Sequence, residues 1–505
     1  MTIHSIFAGP RAVIPRAAAI FLVLFLAGCI TVGPDYEEPA ATVPDAWYTA
    51  ATAGIEEGEA SLQTWWAVFG DPVLNDLIAR ATVSNLDLEA AVYRLQEARA
   101  LRGVVASQRK PNVVLDGSAS RSEPSDVGML GDLVPEGESL DAQNLFDLSA
   151  VAGWEIDLWG RIRRSVESAD AAIEVSLEDY RDVLVSLYSE VAANYIQVRT
   201  FQERIALAHA NVEAQQETVG LTRDRFRTGL VSALDVAQAE SNLANTEALI
   251  PQLEIELEIA ANRLAVLLGE TPGMLHDELL PPTDVPADPG TLATTLPAEL
   301  LRQRPDIRRA ERALASQNAQ IGVATAALYP TFSLSGLIGL QATSFDDLGS
   351  GDALTWSVGL PIQWNLFTGG RVRSQIEVEE ARTRQAYVTY EKTVLFALEE
   401  VQNSMVAYGR ERARRDKLAT SVGATQRSLD LVLTQYRAGL TNFQNVLDTQ
   451  RSLLNRQDEY AASKGLVLAD LIAVYRSLGG GWAPPTEDED PLAIAAEVAA
   501  SRPSE

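Results

Sequence analysis

Side chains that do chemistry are scarce in this chain. Of its 505 residues, one is cysteine and three are histidine. No Cys-pair zinc spacing, no His-Glu-x-x-His helix and no glycine-rich phosphate loop occurs. The expectation is therefore a protein that is not an enzyme, with no catalytic residue, no metal and no cofactor. A single cysteine also excludes a fold stapled by disulfides. Positive charge is short as well: 41 Lys and Arg stand against 69 Asp and Glu, a formal net charge of −28. That argues against nucleic acid as a partner, because phosphates must be neutralised by cations. What remains is bulk and pattern. Hydrophobic residues make up 47% of the chain, enough to bury a core, and the length suits two or three average domains.

The N-terminus reads as an export address. Arg11 and Arg16 form a positive n-region and Ala17 to Ala27 an apolar h-region, too short to be read first as a membrane span. Leu26-Ala27-Gly28-Cys29 closes it and resembles the bacterial lipobox. The resemblance implies removal of residues 1–28 as a lipoprotein signal peptide and a covalent lipid, palmitate, on Cys29. Residues 29–70 then form a lipid-anchored N-terminal segment whose first part, rich in Pro, Gly, Ala and acid, is an extended lead.

Two stretches organise everything after that, Arg225 to Ser241 and Gln435 to Arg451. In each, a long apolar-periodic run breaks at a Gly-Leu pair, Gly229-Leu230 or Gly439-Leu440, and then resumes. Glycine just past the last periodic residue stops a helix because it takes a left-handed conformation at no steric cost. Each stretch is read as a tight turn between two very long helices. The run from Arg161 to Thr228 holds no Pro, and Ile173, Leu177, Tyr180, Leu184, Leu187 and Val191 mark a heptad seam. A helix of that length would span about 100 Å at 1.5 Å per residue.

Ahead of these helices the period changes to two. Phe146, Leu148, Ala150, Ala152, Trp154, Ile156 and Leu158 alternate with a mostly polar set, and Val113 to Ser120 is a weaker partner strand. The second half repeats the pattern. Phe332 to Leu340 is one strand and Leu354 to Leu366 the other. Pro111 and Pro330 stand 219 apart. Trp154 and Trp364, Gly229 and Gly439, and Leu268 and Leu478 each stand 210 apart. The difference falls in the loop between strands, where insertions are tolerated. The organisation expected is a first repeat at 71–269 (helix, β-hairpin 113–158, long helices 161–228 and 231–268 with an interruption at Pro251), a linker at 270–295, a second repeat at 296–482 (helix, β-hairpin 331–366, long helices 370–438 and 441–478) and an acidic disordered tail at 483–505.

Strands of about 9–11 tilted residues cross a bilayer, and strands that face lipid on one side alternate in this way. Four strands cannot close a barrel, and an open edge in hydrocarbon leaves unpaired amides at several kcal/mol each. Two chains would supply eight strands, packed solid, and three would supply twelve, with a lumen. A homotrimer is expected. An alternative of another class, a coiled-coil lipoprotein spacing membrane from cell wall, predicts no strands.

Several motifs make the resemblance specific: Val32-Gly33-Pro34-Asp35-Tyr36, Trp65-Trp66 through Phe69-Gly70-Asp71-Pro72, Leu296-Pro297 through Arg304-Pro305-Asp306-Ile307, and the two Gly-Leu turns. From Cys29 to Trp482 the chain resembles the outer-membrane efflux lipoproteins of the TolC, OprM and NodT type. The fold class this implies is mainly α with a small β part, a long antiparallel coiled-coil α-barrel plus four transmembrane strands per chain in a 12-stranded trimeric β-barrel. The resemblance implies a duct at the outer membrane of a Gram-negative bacterium, reaching through the periplasm, with Ile30 after the lipidated cysteine favouring that membrane. Its implied partners are a periplasmic adaptor and an inner-membrane pump, of the proton-driven resistance-nodulation-division (RND) type in a drug-efflux system. The exit duct of a type I protein secretion system is the alternative within the same fold.

Site residues follow. Gly229, Leu230, Gly439 and Leu440 are expected as the adaptor-docking tip, since an exposed Leu on a hairpin turn is a natural anchor for a partner helix. The repeat sets Asp235 against Asn445 and Gln238 against Asp448. In the family an acid matching Asp448 rings the tunnel entrance, while the TolC branch's second acid and its Arg are replaced here by Asn445 and Thr441. For the periplasmic gate the expectation is Asp448, Asn445, Arg451, Asp235 and Tyr436. Arg451, one helical turn on, would pair with Asp448, and Tyr436 would donate to Asp235 across the hairpins.

Overall fold

The computed structural model describes residues 31–40, 43–48, 55–57, 62–123, 125, 141–290, 292–294, 300 and 303–482. The signal peptide, Cys29 and Ile30, and the acidic tail at 483–505 lie outside the described residues. Two compact units form: one from residues 1–38, 98–173 and 312–387, the other from 39–97, 174–311 and 388–505. Most of the described chain is helix: α1 (Pro72–Ser84), α2 (Leu86–Ser107), α3 (Arg161–Arg227), α4 (Ala233–Glu247), α5 (Leu249–Leu267), α6 (Pro305–Ala326), α7 (Arg371–Arg437) and α8 (Phe443–Ser477). Among these residues no helix is long and apolar enough to cross a membrane.

The first unit is built on an antiparallel sheet of β2 (Asn112–Ser122), β3 (Gln143–Ile156), β5 (Thr331–Ala342), β6 (Leu354–Gly359) and β7 (Ile362–Gln363), in the order β2-β3-β5-β6 with β7 also on β5. Register aligns the apolar faces of all four strands. Leu115 faces Ala150, which faces Ile338, which faces Trp356, and the flanking row runs Gly117, Leu148, Leu340, Leu354. That face is bare: Leu115, Ile338 and Trp356 are 72%, 58% and 70% exposed. The spacer-lipoprotein alternative, which predicts no strands, is thereby overturned. The reading of Leu354 to Leu366 as one strand is corrected as well. It splits at Leu360-Pro361, because Pro361 has no N–H for the ladder and uses only its carbonyl, toward the Ser333 amide at 3.1 Å. Trp364 and Leu366 lie beyond it.

Repeat and register meet at the strand ends. The Trp154 indole donates to the Arg109 carbonyl and its repeat mate Trp364 to the Leu328 carbonyl, both at 3.0 Å. The Val32-Gly33-Pro34-Asp35 motif docks in this unit. A Cβ on Gly33 would come within 2.4 Å of the Gly322 Cα, and Asp35 accepts from the buried Arg164 at 2.6 Å.

The second unit packs its core from Trp65, Leu74, Leu77, Tyr195, Leu264 and Leu471. Asp71 caps α1 by accepting from the Val73 and Leu74 amides, with Pro72 at the first helical position. Its other oxygen accepts from the Tyr195 hydroxyl at 2.5 Å. Arg304 forks onto Asp306 at 3.0 and 2.8 Å and also reaches Glu400 and the Ser477 carbonyl. The helix expected over 231–268 is two, α4 and α5. A proline ring meets the carbonyl four residues back, which for Pro251 belongs to Glu247, and α4 ends there; Ala248 separates the pair. Two short strands, β1 (Ile55–Glu57) and β4 (Leu292–Thr294), pair in parallel where a lead and a linker without strands were expected.

Candidate functional site

The two Gly-Leu turns are built alike, from backbone outward. Gly229 and Gly439 have φ of 76° and 75°. The Gly229 amide donates to the Phe226 carbonyl and the Leu230 amide to the Arg225 carbonyl. Gly439 and Leu440 repeat both bonds on Tyr436 and Gln435, all at 2.9 to 3.0 Å. This double bond pattern satisfies carbonyls that the helix end would otherwise orphan. Such turns usually fold the residue after the glycine back on its own helix. Here Leu230 and Leu440 stay 66% and 78% exposed.

The returning helices are capped within three residues. Ser232 and Asp235 form a reciprocal capping box on α4. On α8 the Asn442 side chain accepts from the Asn445 amide at 3.2 Å. A small core then joins the two hairpins through Val219, Ala239, Tyr436, Phe443, Val446 and Leu447. Arg225 locks it. Its guanidinium lies 4.6 Å over the Tyr436 ring and donates to the Tyr436 carbonyl and, at 3.3 Å, to the Arg437 carbonyl. A cation there also meets the negative end of the α7 dipole.

The bonds expected among the gate residues are not the ones the structure makes. Tyr436 does not donate to Asp235. Its ring is 1% exposed and its hydroxyl has no partner, while Asp235 is taken by the amide and hydroxyl of Ser232 at 3.0 and 3.1 Å. Arg451 does not pair with Asp448 either. Its Nε donates to Asn242 on α4 at 3.0 Å, because cross-hairpin packing turns it away from its own helix. Asp448 is exposed and accepts from Gln444 at 2.8 Å. Asn445, also exposed, donates to Thr441 at 2.8 Å. Sequence reasoning missed Arg225 and Asn242. A basic residue in the last turn of α3 was a signal for the first, and nothing local marks the second. Among the described residues no group of three or more His, Cys, Asp or Glu is arranged to hold a metal.

The family model for outer membrane efflux proteins matches residues 77–270 and 296–480. Nodulation protein T of Rhizobium leguminosarum bv. trifolii is 31% identical over 470 residues, covering 93% of this chain and 98% of its own. The toluene efflux pump outer membrane protein TtgI of Pseudomonas putida is 30% identical over 482 residues, 92% of this chain and 98% of its own. Among solved structures, the outer-membrane channel OprN superposes with a TM-score of 0.81 at 38% identity, covering 90% of this chain and 100% of that one.

Proposed function

The chain belongs to the outer membrane efflux protein family, and from that premise we propose that it is the outer-membrane exit duct of a tripartite multidrug efflux system. Three copies close one 12-stranded barrel, lipid on Cys29 adds an anchor, and the duct takes its cargo from an RND-type inner-membrane pump through a periplasmic adaptor. It carries no catalysis of its own. The observation that carries the reading is the sheet of the first unit. Its apolar face is exposed row by row across four strands, and its outer strands β2 and β6 have free edges among the described residues. In water such a face is a liability and such edges invite pairing. In a bilayer the face is the solvent contact, and copies of the same chain cover the edges. The efflux-pump names of relatives such as TtgI favour pump-driven export over protein secretion.

The adaptor docks at the hairpin turns. The exposure of Leu230 and Leu440, against the usual fold-back, supports that reading, and two turns per chain give six similar sites around a trimer. The experiment is complementation in a strain lacking its own duct. Leu230→Glu together with Leu440→Glu should abolish restored drug resistance while trimer and outer-membrane fractionation persist, and Cys29→Ser should lose palmitate label. Full resistance from the double variant would remove the docking role, and failure of the parent chain to restore any resistance would remove the efflux reading.

A further inference from the structure

Where the linker leaves α5 it roofs a groove that the duct reading does not use. The linker makes a short helical turn at His276–Leu279 and is tied there to α3. Two buried side chains of α3 hold it. Arg199 donates to the Leu279 and Pro281 carbonyls at 3.3 and 3.1 Å, and Gln202 donates to the Leu279 carbonyl at 2.6 Å. Both side chains are buried. The roof is bonded in place, so the space beneath it is preformed. That space is a cavity of about 300 Å³, with apolar walls of Val198 and Ile205 from α3, Leu257 from α5, and Leu279 from the roof. It stands at the small end of ligand sites, which run from about 300 to 1,000 Å³, and suits one small molecule.

The mouth of the cavity is acidic. Glu254 and Glu258 stand one helical turn apart on α5, on the same face as Leu257, and both line it. Both are exposed, and Glu254 makes no ion pair among the described residues. Glu258 meets the His276 Nδ1 at 3.2 Å. His209 joins the lining from α3, and among the described residues no Lys or Arg does. Arg199 bonds instead to Tyr195, Gln202 and the two roof carbonyls. Like charges at this helical spacing repel, so one cation between them gains from both carboxylates. We propose that this groove binds a small organic cation, its apolar body between α3 and α5 and its ammonium or pyridinium head between Glu254 and Glu258. The two carboxylates oppose an anion. A bare metal ion finds no group of three or more His, Cys, Asp or Glu to hold it among the described residues. The site lies within one chain, so it depends on neither the trimer nor the duct.

Dye binding tests it. Full-length protein in a neutral maltoside detergent is titrated with the fluorescent cation dimethylaminostyryl-methylpyridinium. The parent should show a saturable rise in emission and a higher melting temperature, since a ligand that binds only the folded state stabilises it. Glu254→Gln with Glu258→Gln keeps the shape and removes the charge, and should weaken binding by about tenfold or more. Ala206→Trp, at an exposed lining position, fills the groove and should abolish both signals. The uncharged dimethylaminostyryl-pyridine should bind the parent as weakly as the cation binds the double Gln variant. No saturable rise in the parent would overturn the site. Equal signals from the parent and Ala206→Trp would place the dye in the micelle and overturn it too. Equal binding of charged and uncharged dyes, with no loss in the double Gln variant, would reduce the groove to an apolar slot and overturn the cation assignment.

Discussion

Tyr436 is buried for its ring, and its hydroxyl goes to waste. The ring packs on Phe443 at 5.7 Å and under the Arg225 guanidinium, while the hydroxyl is enclosed without a partner. An enclosed, unsatisfied polar group costs about 1–3 kcal/mol. Tyr436→Phe should therefore leave the conductance of the resting duct unchanged and hold or raise thermal stability in detergent, whereas Tyr436→Ala should lose roughly 3–5 kcal/mol of packing. A conductance increase in the Phe variant would mean that the hydroxyl has found a partner in the assembled duct. The same residue shows what the sequence could tell and what it could not. The capping bonds of Asp71 and the turn bonds of Gly229 and Gly439 lie within a few residues of themselves, so those roles were readable. The guanidinium over Tyr436 and the partner of Arg451 come from helices 211 and 209 residues away. Spacing along one helix suggested Asp448 for Arg451, and cross-hairpin geometry chose Asn242.

At the scale of elements, one carboxylate bonded to a long helix and one buried on another titrate in opposite senses. Asp288 pins the linker to α7, accepting from Tyr408 at 2.8 Å, Arg415 at 2.9 Å and the Gly290 amide at 3.1 Å, with Arg412 beside it. Burial alone would raise its pKa, but these donors outweigh it and hold the carboxyl below its ordinary value. Its contribution is present above the unfolded value of about 4 and is lost as pH falls through the lower folded value. On α8, Asp470 is pushed up to about 6, chiefly by burial and then by Glu411. There the folded state holds the proton more tightly, so stability declines as pH rises from about 4 through about 6. Asp470→Asn should raise the melting midpoint at neutral pH and flatten the profile between those values. Asp288→Asn should lower the midpoint at neutral pH, with the deficit closing in acid. Melting in detergent across pH 3 to 8 reads both, and an unchanged slope in the Asp470 variant would refute the assignment. Element starts and stops were legible because Pro and Gly write them locally. The pairing of β1 with β4 was not, since three residues carry no period.

For the whole molecule, the question left by the rewired tip is what neutralises Asp448. Among the described residues of one chain nothing cationic pairs with it: its hydrogen bond comes from the neutral Gln444, and Arg451 is engaged on Asn242. Phe443 and Leu447, each 2% exposed, are spent in the core between hairpins, so the exposed face of α8 at this level offers Gln444, Asn445 and Asp448. In the proposed trimer three Asp448 carboxylates would share that face around one axis. Carboxylates brought together around a narrow axis repel, and more strongly where the local dielectric is below that of water. A cation held between the three relieves all of that repulsion at once, so the resting duct should be cation-selective and blocked by multivalent cations from the periplasmic side. Asp448→Ala should raise single-channel conductance in a planar bilayer and weaken the block. Arg451→Ala should leave the block nearly unchanged, because that guanidinium does not screen the ring. If instead Asp448→Ala alters neither conductance nor block, the carboxylates do not line the constriction. If Arg451→Ala strengthens the block as much as Asp448→Ala weakens it, Arg451 turns onto Asp448 on assembly and the single-chain geometry does not survive in the trimer.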